Sequence, residues 1–137
     1  MKLGRESLYA IEGLLALAAK PLGTVMLLRD IAKVRRVPQT FLAKIFQKLN
    51  RAGIVTSSRG AVRGYALPRR PKEITLREIL SAVEGPDLFE RCIFWSDRCA
   101  DSDPCPIHFR WKKLRDHVIE DLMEKTTLAE LARDSVK

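Results

Sequence analysis

Apolar residues recur at helical spacing along most of this chain. Between Ser7 and Ala19, Leu8, Ile11, Leu15 and Ala18 form a stripe that Leu14 and Leu17 widen. That period predicts an amphipathic helix, stopped by Lys20-Pro21-Leu22-Gly23. A second helix is predicted over 28–34, with Ile31 and Val34 inward, and Arg35-Arg36-Val37-Pro38 as a tight connection. Pro38 suits the first turn of the next helix, where its missing N–H is no loss. This third helix, predicted over 38–51, has two unlike faces. Leu42, Ile45, Phe46 and Leu49 make the apolar one; Thr40, Ala43, Lys44, Gln47 and Arg51 make a polar, basic or small one without any acid. Gly53 ends it with the residue that tolerates positive φ.

Two short β-prone runs follow, Ile54–Ser58 and Tyr65–Leu67, flanking a turn that carries Arg59, Gly60, Arg63 and Gly64. They predict a hairpin. A fourth helix is expected over 75–83, capped by Thr75 and buried through Leu76, Ile79, Leu80 and Val83. A last long helix is expected over 104–125, with Asp103 as cap, Pro104 at its first position and a stripe through Trp111, Leu114, Val118 and Leu122. Little of the chain remains for that stripe to pack on, so a second copy is its natural partner. Thr127, Leu128 and Leu131 predict one more short helix. The sum is a mostly α fold. Residues 1–71 form a winged helix-turn-helix DNA-binding domain with a two-stranded wing; residues 72–137 carry a loop and a long C-terminal dimerisation helix.

Charge sharpens this division. Residues 1–71 hold 14 Lys and Arg against three Asp and Glu, whereas residues 72–137 hold 11 against 14. A basic half points to a polyanion partner, and with the helix-turn-helix pattern that partner is double-stranded DNA. Side chains on the exposed N-terminal part of a recognition helix reach base edges in the major groove. The expected reading set is Gln39, Thr40, Ala43, Lys44 and Gln47, with Lys48 beside it, while Arg59 and Arg63 of the wing suit a narrow minor groove. A pair of heads on a dimer implies a palindromic operator. No apolar run is long enough to span a bilayer. The first residues lack the order of a secretory signal, so a cytoplasmic location is expected. No set of residues for nucleophilic, phosphate-binding or paired-carboxylate catalysis stands out, and an enzyme is not expected.

All three cysteines, Cys92, Cys99 and Cys105, crowd into one polar stretch, and His108 follows the last of them. Converging thiolates favour zinc, copper(I) or iron–sulfur clusters. Cys105 and His108, three apart, are expected on one face at the start of the last helix. A structural Cys3His zinc site is an alternative, although the paired Cys-x-x-Cys knuckles are absent. Free thiols or a regulatory disulfide are another.

Several blocks, taken in order, resemble the Rrf2 family of bacterial transcription regulators. They are Tyr9-Ala10-Ile11, Leu28-Arg29-Asp30-Ile31-Ala32, the run Phe41–Leu49, Ala52-Gly53-Ile54-Val55, Ser58-Arg59-Gly60, Gly64-Tyr65, Leu76-Arg77-Glu78-Ile79, Ala82-Val83-Glu84-Gly85 and the three-cysteine loop. The resemblance implies a homodimeric winged-helix regulator, here a repressor, that senses iron, redox state or nitric oxide through a cluster. It implies that Arg59 enters the minor groove. It also implies that the start of the third helix discriminates operators, and some members carry an acid where Ala43 stands. Members with three cysteines and one histidine hold [2Fe–2S]. Others hold [4Fe–4S], in some cases with an acid from the partner's first helix; the equivalent place here is Leu8, which cannot ligate. Cys92, Cys99, Cys105 and His108 are thus the implied ligands, with [2Fe–2S] favoured.

Overall fold

The computed structural model describes residues 3–59, 63–91 and 100–135. Among these described residues, six α-helices and one two-stranded sheet follow in chain order. Helix α1 (Arg5–Ala18), α2 (Leu28–Arg35) and α3 (Gln39–Arg51) come first, then strands β1 (Thr56–Arg59) and β2 (Arg63–Ala66). Helix α4 (Leu76–Glu84), α5 (His108–Val118) and α6 (Leu128–Asp134) complete the chain, and α5 runs on in π-helical turns over Ile119–Glu124.

Helix α1 is the central post, packed against α2, α3, α4 and α6. Its buried face is Ala10, Gly13, Leu14 and Leu17, and it meets Leu42, Ile45, Phe46 and Leu49 of α3 in the main core. Gly13 permits that approach, because a Cβ there would lie 2.6 Å from Phe46 Cε1. Two sequence expectations fail on these helices. Leu8, expected inside, is 55% exposed, and Val34 of α2 is 64% exposed. Four neighbours on α1 rotate its buried arc past Leu8, and α2 turns Ile31 and Ala32 to the core instead of Val34.

Strands β1 and β2 pair antiparallel from Thr56↔Ala66 to Arg59↔Arg63. A third segment joins the wing unannounced by the sequence: Met26 exchanges two 2.9 Å backbone hydrogen bonds with Tyr65. The wing is thereby sewn to the connection before α2.

Helix α4 is a shared wall. Thr75 Oγ1 accepts from Glu78 N at 3.2 Å and the Glu78 carboxylate accepts from Thr75 N at 3.0 Å, a reciprocal cap. Ile79 and Val83 face the main core; Leu76 and Leu80 face a second core with Leu88, Phe89 and Met123. Helix α6 returns to this wall through Leu76 N to Thr126 O and Leu128 N to Ile74 O, both 2.8 Å.

The last long helix starts at His108, not at Pro104, with Ile107 in the capping position and no side-chain cap. Pro106 explains the shift. A residue before proline is disfavoured in the α region, and Cys105 lies outside the helix. Cys105 and His108 therefore do not share a helical face; they are joined by His108 N donating to Cys105 O at 3.0 Å. Among the described residues, no helix is long and apolar enough to cross a membrane.

Candidate nucleic-acid interface and cysteine loop

Helices α2 and α3 meet through a turn in which Arg36 takes the left-handed conformation (φ 56°, ψ 46°). Val37 N closes the turn on Ala32 O at 3.0 Å, and the Val37 side chain is buried. The turn sets α3 across the front of the domain. Its apolar face enters the core, which leaves Gln39, Thr40, Lys44, Gln47 and Arg51 exposed and Ala43 half-buried among them. Five of the expected reading residues thus share one open face, with no acidic side chain on α3 at all.

Lys48 lies apart from this face. Its Nζ is 3.1 Å from Glu6 Oε2 on α1 and 3.3 Å from Val83 O near the end of α4. Next to it, Glu84 Oε2 accepts from Ser7 Oγ at 2.6 Å and from Gly4 N at 2.8 Å. The recognition helix, the start of α1 and the end of α4 meet in one polar joint. Arg59, at the end of β1, is exposed. The backbone of Arg63 stands opposite it, while the wing tip, 60–62, lies outside the described residues.

Two residues on this surface escaped sequence reasoning. Arg36 projects from the helix-turn-helix turn, exposed; its signal was its place in an Arg-Arg-Val-Pro connection. Phe41, 53% exposed, flanks the reading face and lies 6.2 Å from the Tyr9 ring. A helical-wheel reading puts it between the two faces, so periodicity does not reveal it.

The cysteine loop is tethered at both ends. On entry, Leu88 and Phe89 are buried in the second core, and Arg91 Nη2 donates to Asp87 Oδ1 at 2.7 Å. Hydrogen bonding to Asp87 raises the Arg91 pKa further. Cys92 and Cys99 lie outside the described residues. On exit, Cys105 is half-buried and His108 is 2% exposed. The His108 ring Nε2 is 2.7 Å from Asp101 Oδ1, while the Lys112 ammonium donates to Asp101 Oδ2 at 2.8 Å. The Lys112 hydrogen bond, followed by that of His108, holds the Asp101 carboxyl below the usual range. Among the described residues, no three His, Cys, Asp or Glu side chains gather as for a metal ion. The described half of the ligand set still has the right chemistry: a buried imidazole tied by one nitrogen to a carboxylate is how metal-bound histidines are commonly held.

A family model described as Rrf2, iron-dependent transcriptional regulator, matches residues 3–134. The chain belongs to the Rrf2 family. Among its relatives is the HTH-type transcriptional regulator IscR of Pectobacterium atrosepticum, 30% identical over 134 residues, covering 98% of this chain and 80% of that one. CymR (YrzC), the global cysteine regulator of B. subtilis, superimposes with a TM-score of 0.78 at 27% identity, over 98% of both chains. The T. potens IscR structure gives 0.72 at 25% identity, over 98% of this chain and 88% of that one. This Rrf2 protein is a DNA-binding transcriptional regulator and not an enzyme. Its mostly helical winged-helix fold is the one expected.

Proposed function

We propose that this Rrf2 protein is a cytoplasmic homodimeric repressor whose grip on a palindromic operator is set by an iron–sulfur cluster, [2Fe–2S], held by Cys92, Cys99, Cys105 and His108. The heads read DNA with Gln39, Thr40, Ala43, Lys44 and Gln47 in the major groove and with Arg59 and Arg63 at the wing. Lys48 serves as a brace. The observation that carries the reading is the shared wall of α4. One side packs on the recognition head, and the other on the core that anchors the entry to the cysteine loop and the end of α5. A loop drawn together by a cluster would pull on Leu88 and Phe89, hence on α4 and on the joint at Val83, Lys48 and Glu84. Two operator-spaced heads convert a small displacement into a change of affinity. The exposed side chains of Leu114 on α5 and Leu122 on its π-helical extension give a second copy its seat.

Purification without oxygen tests the cluster. The protein should be coloured, with two iron and two sulfide per chain expected for [2Fe–2S] (about two each), and its operator affinity should change once the cluster is removed. Colourless, iron-free protein that binds its operator normally would refute it. A second reading has its own support: the CymR likeness spans the same 98% of the chain, and that protein is named for cysteine regulation. In that reading the three thiols form a redox switch without iron. Thiol counts before and after mild oxidation of the iron-free protein, each paired with operator binding, tell the two apart; bound zinc with no dependence on oxidation would mark a structural site instead.

A further inference from the structure

Among the described residues, positive φ occurs at Gly23, Gly53, Gly85 and Arg36. Arg36 is thus the one such position that carries a side chain (φ 56°, ψ 46°). An L side chain is strained there, because Cβ crowds the following carbonyl. The turn between α2 and α3 needs only the backbone of this residue. Arg36 N donates to Ala32 O, and Val37 N reaches the same carbonyl at 3.0 Å. Glycine would serve that backbone without strain, and helix-turn-helix turns often contain it.

The Arg36 side chain has no task inside the chain. It is exposed, and it has no hydrogen-bond or ion-pair partner among the described residues. Its neighbour Arg35 is the contrast. That guanidinium folds back on α1, where Nε donates to Glu12 Oε2 at 2.7 Å. One arginine of the pair ties two helices together; the other stands out from the turn. The exposed Gln39 and Thr40 open α3 just beyond it, on a helix without any acid. A charged side chain held in a strained conformation, with nothing to bind within the fold, calls for a ligand outside it. A planar guanidinium suits a phosphate, which it can grip through two N–H groups at once.

We propose that Arg36 is a phosphate-binding residue of the DNA-facing head, carried by the turn at a cost to the stability of the fold. This rests on the reading of α3 as the helix that enters the major groove. It adds a contact at the preceding turn that holds the DNA backbone and carries no sequence information. The end of α2 offers a rival explanation, since a cation is favoured at a helix C-terminus. Lys33 and Arg35 already stand in that last turn, and the two explanations predict opposite effects on stability.

Substitutions at this one position decide between them. Arg36→Gly and Arg36→Asn tolerate the left-handed conformation and remove the charge. Arg36→Lys keeps both charge and strain. The Gly and Asn variants should melt above the parent, by about 2–5 °C, and the Lys variant level with it. Binding to random-sequence duplex DNA, titrated at several salt concentrations, should run the other way. The log–log slope should flatten by about one unit per head in the Gly and Asn variants and stay parental in Arg36→Lys. Duplexes that each protein enriches from a random pool should share one base preference. Unchanged slopes in Arg36→Gly and Arg36→Asn overturn the proposal. Melting below the parent also overturns it, by making Arg36 a support for the end of α2. An altered base preference overturns it too, by making Arg36 a base reader. Lys44→Ala is the control for the underlying reading. If it flattens the slope and Arg36→Gly does not, the Arg36 proposal fails alone; if neither variant moves the slope, the reading of α3 fails with it.

Discussion

The Lys48 ammonium of the recognition helix lies 3.1 Å from the Glu6 carboxylate of α1. That contact separates Lys48 from Lys44, although both stand on α3 and both were expected at the DNA. Lys44 is exposed and has no ion-pair partner among the described residues; Lys48 already has an anion and a carbonyl. Replacing Lys44 by alanine should therefore weaken operator binding and flatten its dependence on salt by about one unit of the log–log slope. Lys48→Ala should leave the slope nearly unchanged. Its cost in stability should stay under about 1 kcal/mol, as for other half-exposed pairs. Operator titrations at several salt concentrations distinguish the two, and equal slopes for both variants would return Lys48 to the DNA surface.

Glu84 secures the other side of the same joint. It accepts from the Ser7 hydroxyl, and Ser7 is 3% exposed. Glu84→Ala strands that buried hydroxyl and the Gly4 N–H, and should cost about 1–3 kcal/mol. Glu84→Gln keeps an acceptor oxygen in place and should lose less. Denaturant midpoints at constant slope give both numbers. An alanine variant as stable as the parent would mean that water takes over both bonds.

These two joints also show where the sequence is legible. Helix α4 was readable residue by residue, because Thr75 and Glu78 spell a reciprocal cap and Leu76, Ile79, Leu80 and Val83 keep a strict period. Helix α1 was readable as a helix but not as a face. Its stripe is apolar nearly all round, so tertiary contacts decided that Leu8 lies outside and that Ser7, satisfied by Glu84, lies inside. The sequence points to Pro104 as a first-turn residue of α5, whereas Pro106, two positions later, disfavours helix at Cys105. The open face of α3 followed from its lack of acids and apolar residues. Lys48 and Asp101 did not follow, since their partners lie 42 and seven residues away and no periodicity connects them.

The wing depends on Gly64. A Cβ there would fall far inside contact distance of the Met26 carbonyl, at the point where the wing is sewn to the segment before α2. Backbone cannot yield as a flexible side chain would. Gly64→Ala should destabilise the protein by about 1–3 kcal/mol, the range for forced overpacking. It should also weaken operator binding beyond what partial unfolding explains, because Arg59 and Arg63 are carried by the same hairpin. Thermal melts and operator affinity, measured below the transition, check the two effects separately. A folded Gly64→Ala protein with parental affinity would remove the wing from the DNA interface.

Leu114 on α5 and Leu122 on its π-helical extension, about two turns apart, are 55% and 49% exposed, beside half-buried Val118 and Ile119. Among the described residues, neither contributes to a core. Leu114→Glu combined with Leu122→Glu should therefore leave the melting behaviour of the single chain intact while placing charge where a second copy would seat. Light scattering should report half the parental mass. Operator affinity should fall by about 100-fold or more, since two linked heads bind with a high effective concentration that separate heads lack. The same double variant should still bind nonspecific DNA weakly, because Lys44, Arg36 and Arg59 are untouched. A dimeric mass for the double variant would move the interface to another surface. A monomeric mass with undiminished operator affinity would instead mean that each head recognises its half-site alone, and that coupling between heads adds nothing to the grip on DNA.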